Sequence, residues 1–354
     1  MTLILTNDEV RRLLTMEACL EILEDAYREQ AEGRAMNQLR HDTAMPVPEM
    51  PNEGRYEFKT MVGVLPKYGV SALRMSSSIV HHPVTNGQKR VEKLPAAPGG
   101  RWVGMVQLYS TLTGEPLAIM PDGYLQRTRV AASSGIAAKY LARQDASVLG
   151  LFGAGWQARA QVEALARVRR LQKVKVYSPT KSNRVAFAEE MEPVIGVPIE
   201  PVDKPESVAK GADIVACATN AREIVLPAKW VEKGMHITDV KRIEIERSTL
   251  ERVDRVVIHQ RLAYETRIGG RGQYGVLEES EWRDADFERY PLLEEVIVGK
   301  APGRRQQEEI TYFWNNAGLG LQFAAAGYVI FKRAKEEGMG REIPTDWLTQ
   351  EFHT

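Results

Sequence analysis

The 354-residue chain has little cysteine, no excess charge of either sign and no long apolar run. Its only cysteines, Cys19 and Cys217, stand in apolar surroundings, and two cysteines cannot build a structural zinc site. Lysine plus arginine total 47, as do aspartate plus glutamate, so no overall field favours nucleic acid or an anionic membrane. No apolar segment approaches the roughly 20 residues that a membrane-spanning helix requires. From the balanced charge and the short apolar segments we expect no nucleic acid or membrane partner. A small-molecule ligand is therefore the favoured partner.

Metal binding and secretion are disfavoured as well. The six histidines show no metal-ligand spacing, and His81-His82 is more typical of a loop pair than of a ligand pair, so we predict no bound metal. Residues 1–6 lack the basic, apolar and small-residue succession of a signal peptide, from which we expect a cytoplasmic protein. Hydrophobic residues make up 44% of the chain, enough for a core in each of two domains.

The most informative segment is an apolar, β-like run, Val148–Phe152, that leads into Gly153-x-Gly155-x-x-Ala158 and a helix-forming stretch. Gly153 permits the tight turn, Gly155 lets the backbone approach a pyrophosphate, and the small Ala158 allows the helix to pack closely on the strand. The free N–H groups at the start of that helix attract phosphate. We therefore expect a dinucleotide to bind at Gly153, Ala154, Gly155, Trp156 and Gln157.

The fold class predicted from the pattern is α/β, with a Rossmann-type doubly wound domain over residues 125–319. Helical and strand-like segments alternate there, as in a parallel sheet. Further strand candidates are Val174–Tyr177, Ile214–Ala218, His236–Val240 and Arg255–Ile258, and the segment 157–170 is predicted to be helical. Residues 265–303 are charged and irregular.

A discontinuous α+β domain is expected from residues 1–124 and 320–354. A capping-box pattern, Thr6-Asn-Asp-Glu9, predicts a helix, Thr113-Gly114 predicts a hairpin, and a small-residue helix, Gln322–Lys335, is expected to pack back on this domain. The polar insertion between His81 and Arg101 has two interpretations. With Lys89, Arg90, Lys93 and Arg101, it is either a lid over an anionic ligand or a solvated loop.

Five landmarks occur in order along the chain: Arg129–Ser134, Gly153–Gln157, Gly234–His236, Asn315–Gly318 and Gly338–Gly340. In this order they resemble the ornithine cyclodeaminase/mu-crystallin family from about residue 5 to residue 345. The resemblance implies a homodimer whose first domain carries the dimer sheet and much of the substrate site, while a Rossmann domain holds NAD or NADP. Family members include cyclodeaminases, ketimine and pyrroline-carboxylate reductases, alanine dehydrogenases and a thyroid-hormone-binding crystallin.

The resemblance also implies a set of substrate-binding residues. Arg129 matches the arginine that contacts the substrate carboxylate, a role that suits the planar fork of guanidinium. Arg40 matches a second substrate arginine, and Ala317 an adjacent substrate contact. Arg74 replaces a strand lysine of the family, and since arginine stays protonated we expect it to hold a carboxylate or carbonyl rather than to transfer protons.

The loop after Gly234-Met-His236 departs from the cyclodeaminase pattern. It is several residues shorter, and no residue aligns with the family's acid/base aspartate. Asp239, at the carboxyl end of the predicted strand, is the leading substitute, and Lys241 is the second. The alternative is that both residues only cap or solvate the loop.

The end of the second predicted strand bears on cofactor preference. NAD enzymes usually place an acidic residue there for the ribose 2′-OH, whereas this chain has hydroxyls from Ser178 and Thr180 and positive charge from Lys181 and Arg184. We therefore predict NADP as cofactor, with NAD possible. Thr219 and, by the family resemblance, Asn316 on the nicotinamide side complete the expected cofactor contacts.

These features predict an NAD(P)-dependent reductase or dehydrogenase that acts by hydride transfer on a small imino/amino or oxo acid. An ornithine-type cyclodeaminase that releases ammonia is one alternative, although the absent aspartate and the replaced lysine disfavour it. The other alternative is a catalytically weak, NADP-dependent small-molecule binding protein.

Overall fold

The computed structural model describes residues 1–50, 54–85, 88–89, 92–221, 223–261, 265–268 and 287–351. Two large sheets organise these residues, one of ten strands and one of seven. Within the described ranges, no helix has both the length and the apolar character needed to cross a bilayer.

The ten-stranded sheet is built mainly from the first third of the chain. Its early strands are β1 (Thr2–Ile4), β2 (Met36–Asn37), β3 (His41–Pro46), β4 (Arg55–Leu65) and β5 (Val70–His81). A small ribbon of β6 (Val84–Thr85) and β7 (Gln88–Lys89) lies outside the sheet, which continues with β8 (Glu92–Leu94), β9 (Val103–Ser110) and β10 (Pro116–Pro121). Strands β9 and β10 pair antiparallel, which confirms the predicted hairpin.

The first part of the chain also forms three helices, α1 (Asn7–Leu13), α2 (Met16–Ala31) and α3 (Gly123–Leu141). The start of α1 has the predicted capping box, since Thr6 Oγ1 accepts from the Glu9 N–H at 3.3 Å and the Glu9 carboxylate accepts from the Thr6 N–H at 2.7 Å. Helix α3 is buried along most of its length because its small side chains let α2 and the second half of the chain pack closely on it.

The seven-stranded sheet is wholly parallel, as predicted. Its elements run β11 (Val148–Phe152), α4 (Trp156–Val168), β12 (Lys173–Tyr177), α5 (Lys181–Ile195), β13 (Ile199–Pro201), α6 (Glu206–Ala209), β14 (Ile214–Cys217), β15 (His236–Asp239) and β16 (Arg255–Ile258). In space β11 lies between β12 and β14, which is the topological switch point where doubly wound sheets bind their ligands.

The late elements join the two sheets. They are β17 (Glu265–Ile268), α7 (Leu293–Ile297), β18 (Thr311–Trp314), α8 (Gly320–Glu337) and β19 (Arg341–Ile343). Strand β18 inserts between β15 and β16, while β17 pairs with β3 of the ten-stranded sheet although it lies within the range 125–319. The charged, irregular sequence of residues 265–303 gave no indication that a strand there would pair with β3.

The start of α8 touches β4 directly. A Cβ at Gly63 would lie 2.1 Å from the Leu321 nitrogen, and one at Gly320 would lie 2.1 Å from the Val62 carbonyl carbon. Glycine at both positions therefore allows the helix to approach the strand. This approach places the first turn of α8, with Gln322 and Phe323, against the functional site.

Candidate active site at the junction of the two sheets

The glycine-rich loop after β11 has the geometry of a phosphate cradle. Gly153 has φ of +109°, and a Cβ there would lie 2.3 Å from the Ala218 carbonyl oxygen, so only glycine fits. A Cβ at Gly155 would meet nothing within 4 Å, which leaves open space at the first turn of α4. Trp156 in that turn is 46% exposed, and Gln157 donates to Gln126 Oε1 at 3.0 Å. The residues present therefore fit a dinucleotide diphosphate at the start of α4.

The end of β12 differs in part from the expectation. The Arg184 guanidinium is buried, donates to the Ser178 carbonyl at 2.9 Å and forms an ion pair with Asp203. Its charge is therefore used to hold the loop together. Thr180 and Lys181 are exposed at the start of α5, and the Thr180 side chain makes no capping hydrogen bond there.

Glu244 joins the loops after β14 and β15. This buried carboxylate accepts from the N–H of Thr219 at 2.6 Å and from the N–H of Lys241 at 3.0 Å. Burial raises its pKa, against the lowering effect of the Thr219 hydrogen bonds. Glu244 thus places Thr219 and the exposed Lys241 together at the carboxyl edge of the parallel sheet.

Arg129 lies on α3 with its guanidinium buried. Its Nη1 donates to Gln322 Oε1 at 2.8 Å, its guanidinium lies 4.9 Å from the Phe323 ring centroid, and a Cβ at Gly318 would lie 2.5 Å from Nη1. No described carboxylate comes within 4 Å of it. Burial, followed by the positive charge of Arg74, lowers the pKa of Arg129 to about 9. A buried cation without a paired carboxylate favours an anionic ligand.

Arg74 lies beside Arg129 and is already paired. Its Nε and Nη2 contact Asp122 Oδ2 at 2.7 and 2.6 Å, and its guanidinium lies 5.6 Å from the same Phe323 ring. A Cβ at Gly104 would lie 2.1 Å from Asp122 Oδ1, so that glycine makes room for the carboxylate. Phe323 therefore contacts both arginines through its ring, with no charge of its own.

Lys59 faces the same region from β4. It is directly opposite Asp42 on β3 and Ser76 on β5, its Nζ lies 2.8 Å from Glu57 Oε2 and 3.7 Å from Asp42 Oδ2, and 22% of its side chain is exposed. Asp42 also pairs with Arg40, whose Nε lies 2.7 Å from Oδ1. Strand β4 therefore places a lysine on the same sheet face as Arg74 of β5.

A buried hydrogen-bond network supports Arg129 from behind. The Tyr27 hydroxyl contacts His259 Nε2 at 2.8 Å and Ser133 Oγ at 2.9 Å, and Gln322 Nε2 donates to the same hydroxyl at 2.8 Å. Burial, followed by the charge of Arg129, lowers the pKa of His259 to about 4, which keeps the ring neutral near neutral pH. The network fixes Gln322 and hence one edge of the guanidinium.

The loop after β18 carries the last two predicted contacts. The Asn316 amide is held by the main chain, since its oxygen accepts from the N–H groups of His259 and Gln260 at 3.1 Å each. Ala317 is buried, and its carbonyl lies 2.7 Å from His259 Nδ1. These bonds hold Gly318 against Arg129.

Asp239 does not join this group. Thr238 donates to Ser134 on α3 at 3.1 Å, so Asp239, the next residue along the strand, points to the opposite face of the sheet. It is 1% exposed, and it contributes with burial to raising the pKa of Tyr312 and of Cys217. The expected position at the end of a strand is therefore observed, but the side chain points away from Arg129.

Sequence reasoning missed Tyr27, Lys59, Asp122, His259 and Gln322. A signal existed for Lys59, because Arg55, Glu57 and Lys59 place charge at alternate positions of one strand. The other four come from distant parts of the chain and carry no local motif.

Comparison with known proteins agrees with this architecture. A model of the ornithine cyclodeaminase/mu-crystallin family matches residues 1–338. An uncharacterized cyclodeaminase of Sinorhizobium fredii is 32% identical over 347 residues, covering 95% of this chain and 97% of that protein. The structure of Thermococcus litoralis Delta(1)-pyrroline-2-carboxylate reductase in complex with NADH and L-proline is similar with a TM-score of 0.79 and 28% identity, covering 97% of this chain and 100% of that one.

An archaeal alanine dehydrogenase dimer with bound NAD has a TM-score of 0.76 at 29% identity, and the match covers 97% of this chain and 99% of that one. These matches confirm the predicted Rossmann-type fold. The match of the family model over nearly the whole length shows that the chain belongs to the ornithine cyclodeaminase/mu-crystallin family.

Proposed function

We propose that this chain is an NAD(P)-dependent oxidoreductase that transfers hydride between the cofactor and a small imino/amino or oxo acid. The observation that carries the proposal is the buried Arg129 guanidinium, which has no described carboxylate partner and lies on α3, the helix that precedes β11 and its glycine-rich loop. The related reductase holds NADH and L-proline, and the related alanine dehydrogenase holds NAD. The open space at Gly155 fits the same class of cofactor.

Arg129 binds the substrate carboxylate, and Gln322 and Phe323 hold the guanidinium in place. Arg74 and Arg40 add positive charge that is reduced by Asp122 and Asp42, so they orient the substrate more than they attract it. Ala317 closes the same end of the site. When bound, the nicotinamide supplies or accepts the hydride, and Asn316 holds the loop on its side.

Lys59 is the proposed proton-transfer group. Reduction of a neutral imine requires a proton at nitrogen, whereas reduction of a preformed cationic imine requires none at that step. An amine can give or take that proton, whereas guanidinium cannot. Lys59 is the lysine held between Glu57 and Asp42 on the face that carries Arg74, and it replaces Asp239 as our leading acid/base candidate. Lys241, at the carboxyl edge, is the second candidate.

We propose NADP as the preferred cofactor. The start of α5 presents Thr180, with a hydroxyl that makes no capping bond, and the exposed Lys181, which together suit a 2′-phosphate. Fluorescence titration should show tighter binding of NADPH than of NADH, and Lys181→Gln should reduce the difference. Equal affinities in the unmodified protein would contradict this preference.

We also propose a homodimer, since the related archaeal alanine dehydrogenase is a dimer. Met45 and Tyr56 are exposed on the ten-stranded sheet, as expected for a face that a second copy covers. Light scattering of the purified protein tests this point.

Turnover decides among the functions. The purified protein should oxidise NADPH in the presence of a 2-oxo acid and ammonium or methylamine. Ammonia release from ornithine without net change in NADPH would instead identify a cyclodeaminase, which the family membership keeps as the second candidate. Ligand affinity without turnover would identify a binding protein.

A further inference from the structure

Lys93 extends the charged face of the site beyond the residues described above. On β8 it is directly opposite Val80 of β5, and directly opposite residues share a face of the sheet. Val80, Ser78 and Ser76 alternate along β5, so Lys93 lies on the face that carries Glu57 and Lys59. Its backbone is held in place because Trp102 Nε1 donates to the Lys93 carbonyl at 3.2 Å.

The carboxylates on this face already have partners. Asp42, Glu57 and Asp122 pair with Arg40, Lys59 and Arg74, respectively. Arg129 and Lys93 remain, and neither has a described carboxylate within 4 Å of its charged group. Loss of hydration, followed by the charges of Lys59 and Arg74, lowers the pKa of Lys93, although its side chain stays exposed.

The two cations come from different elements, Lys93 from β8 and Arg129 from α3, and they mark two ends of the face. Val80, which pairs with Lys93, is six residues from Arg74 along β5, and the long lysine side chain covers part of that backbone distance. Arg74 shares the Phe323 ring with Arg129. A ligand with a single carboxylate satisfies one of these ends, whereas a ligand with two separated anionic groups satisfies both.

We propose that the substrate is an imino or oxo dicarboxylate, with its α-carboxylate on Arg129 and its distal carboxylate on Lys93. This inference rests on the proposed function, and it assigns one residue of the 81–101 insertion to substrate selection. In the reaction tested below, ammonia and a 2-oxo acid condense to an imine and water. Hydride from NADPH then forms the new C–H bond at the imine carbon, and one proton joins the nitrogen, which yields the amine and NADP⁺.

The experiment compares two substrates of equal chain length, 2-oxoglutarate and 2-oxopentanoate, which differ in the distal carboxylate. Each is assayed with ammonium and NADPH on the unmodified protein, Lys93→Gln, Lys93→Arg and the control Lys332→Gln, a lysine 57% exposed on α8. We expect kcat/KM to favour 2-oxoglutarate by roughly tenfold or more, since a hydrogen bond to a charged group contributes about that much. Lys93→Gln should remove this preference while kcat/KM for 2-oxopentanoate stays within about twofold, and Lys93→Arg should retain it.

A binding measurement separates this inference from the proposed function. Thermal shifts with NADPH present compare glutarate with pentanoate on the same four proteins. If no 2-oxo acid is turned over but Lys93→Gln weakens glutarate binding alone, the proposed oxidoreductase function fails and the two-ended site stands. If 2-oxopentanoate is turned over and Lys93→Gln affects both acids equally or neither, the dicarboxylate inference is wrong and the function stands.

Discussion

The glycine-rich loop and the charged face of the ten-stranded sheet both suit anions, but they present positive potential differently. At the loop the donors are backbone N–H groups at the start of α4, and Arg159, one turn later, is paired with Glu190 at 2.6 Å. On the sheet face the donors are long side chains, ordered by carboxylates on neighbouring strands. The anion-binding groups of the loop therefore come from one short segment, whereas those of the sheet face depend on the register of several strands.

This difference sets the sensitivity of each region to mutation. The loop is sensitive to any added atom where the diphosphate approaches, because its donors belong to the main chain. The face is sensitive to the kind of side chain, because charge, geometry and proton transfer are supplied by different residues. The following predictions test that contrast, from the largest expected effect to the smallest.

Gly155→Val should abolish binding of NADPH and NADH without unfolding the protein. A Cβ at this position meets nothing within 4 Å in the protein, and φ of −95° suits any residue. Isothermal titration would measure the loss, and the thermal midpoint would report the fold. Gly153→Ala is the matched contrast, because clash with Ala218 and a φ of +109° should lower the thermal midpoint as well. Retained NADPH affinity in Gly155→Val would contradict the diphosphate assignment.

Lys59→Met should lower kcat on a neutral imine by the ~10²–10⁴-fold typical of general acid–base catalysis. Lys59→Arg should not restore the rate, since arginine keeps the charge but does not exchange its proton. Steady-state kinetics across pH would test both variants. Asp239→Asn is the control on the opposite face of β15 and should cost about tenfold or less. A larger loss in Asp239→Asn than in Lys59→Met would make Asp239 the acid/base.

Arg129→Lys should reduce kcat/KM by roughly ten- to 150-fold, or about 1.5–3 kcal/mol in transition-state binding. Charge is kept, but an ammonium cannot bind both carboxylate oxygens and Gln322 in the geometry of a guanidinium. Arg333→Lys on α8, which contacts the Leu13 carbonyl, serves as the control. Unchanged kcat/KM on an identified substrate would exclude the carboxylate contact.

His259→Asn should make stability less dependent on acid. The pKa of His259 is about 4 in the folded protein, below its ordinary value near 6.5. Between these two values the unfolded chain binds the proton and the folded chain does not, so stability falls as pH falls through this window. Thermal midpoints measured from pH 7 to 4 should fall less steeply in the variant. Buried His236, whose pKa is also lowered, makes stability fall with pH to the same extent in the unmodified protein and in the variant.

Patterns within short segments predicted several features correctly. The strand, turn and helix around Gly153, the parallel strands after it, the hairpin after β9 and the cap at Thr6 each depend on neighbours close in sequence. The family resemblance points to Arg129, and the structure buries this residue near Arg74. The roles of Arg40, Arg74, Arg129, Ala317 and Asn316 stay predictions.

The features that the sequence did not predict depend on contacts between residues that are far apart in the chain. Arg184 is four residues from Thr180, yet its guanidinium pairs with Asp203, which is 19 residues further along the chain. Asp239 was correctly placed at the end of a strand, but its direction followed from the contact of Thr238 with α3. Arg90, named as part of the insertion, lies outside the described residues.

The sequence by itself determined the dinucleotide loop and the family, because a glycine-dependent turn between strand and helix is a local structure with a local pattern. Only the tertiary structure decided which charges are available. Lys59, Lys93 and Arg129 come from two strands and a helix up to 70 residues apart, and what each can do depends on whether a carboxylate from another element reaches it. Ion pairing over such distances leaves no periodic pattern in the chain, so it is visible only once the strands are in register.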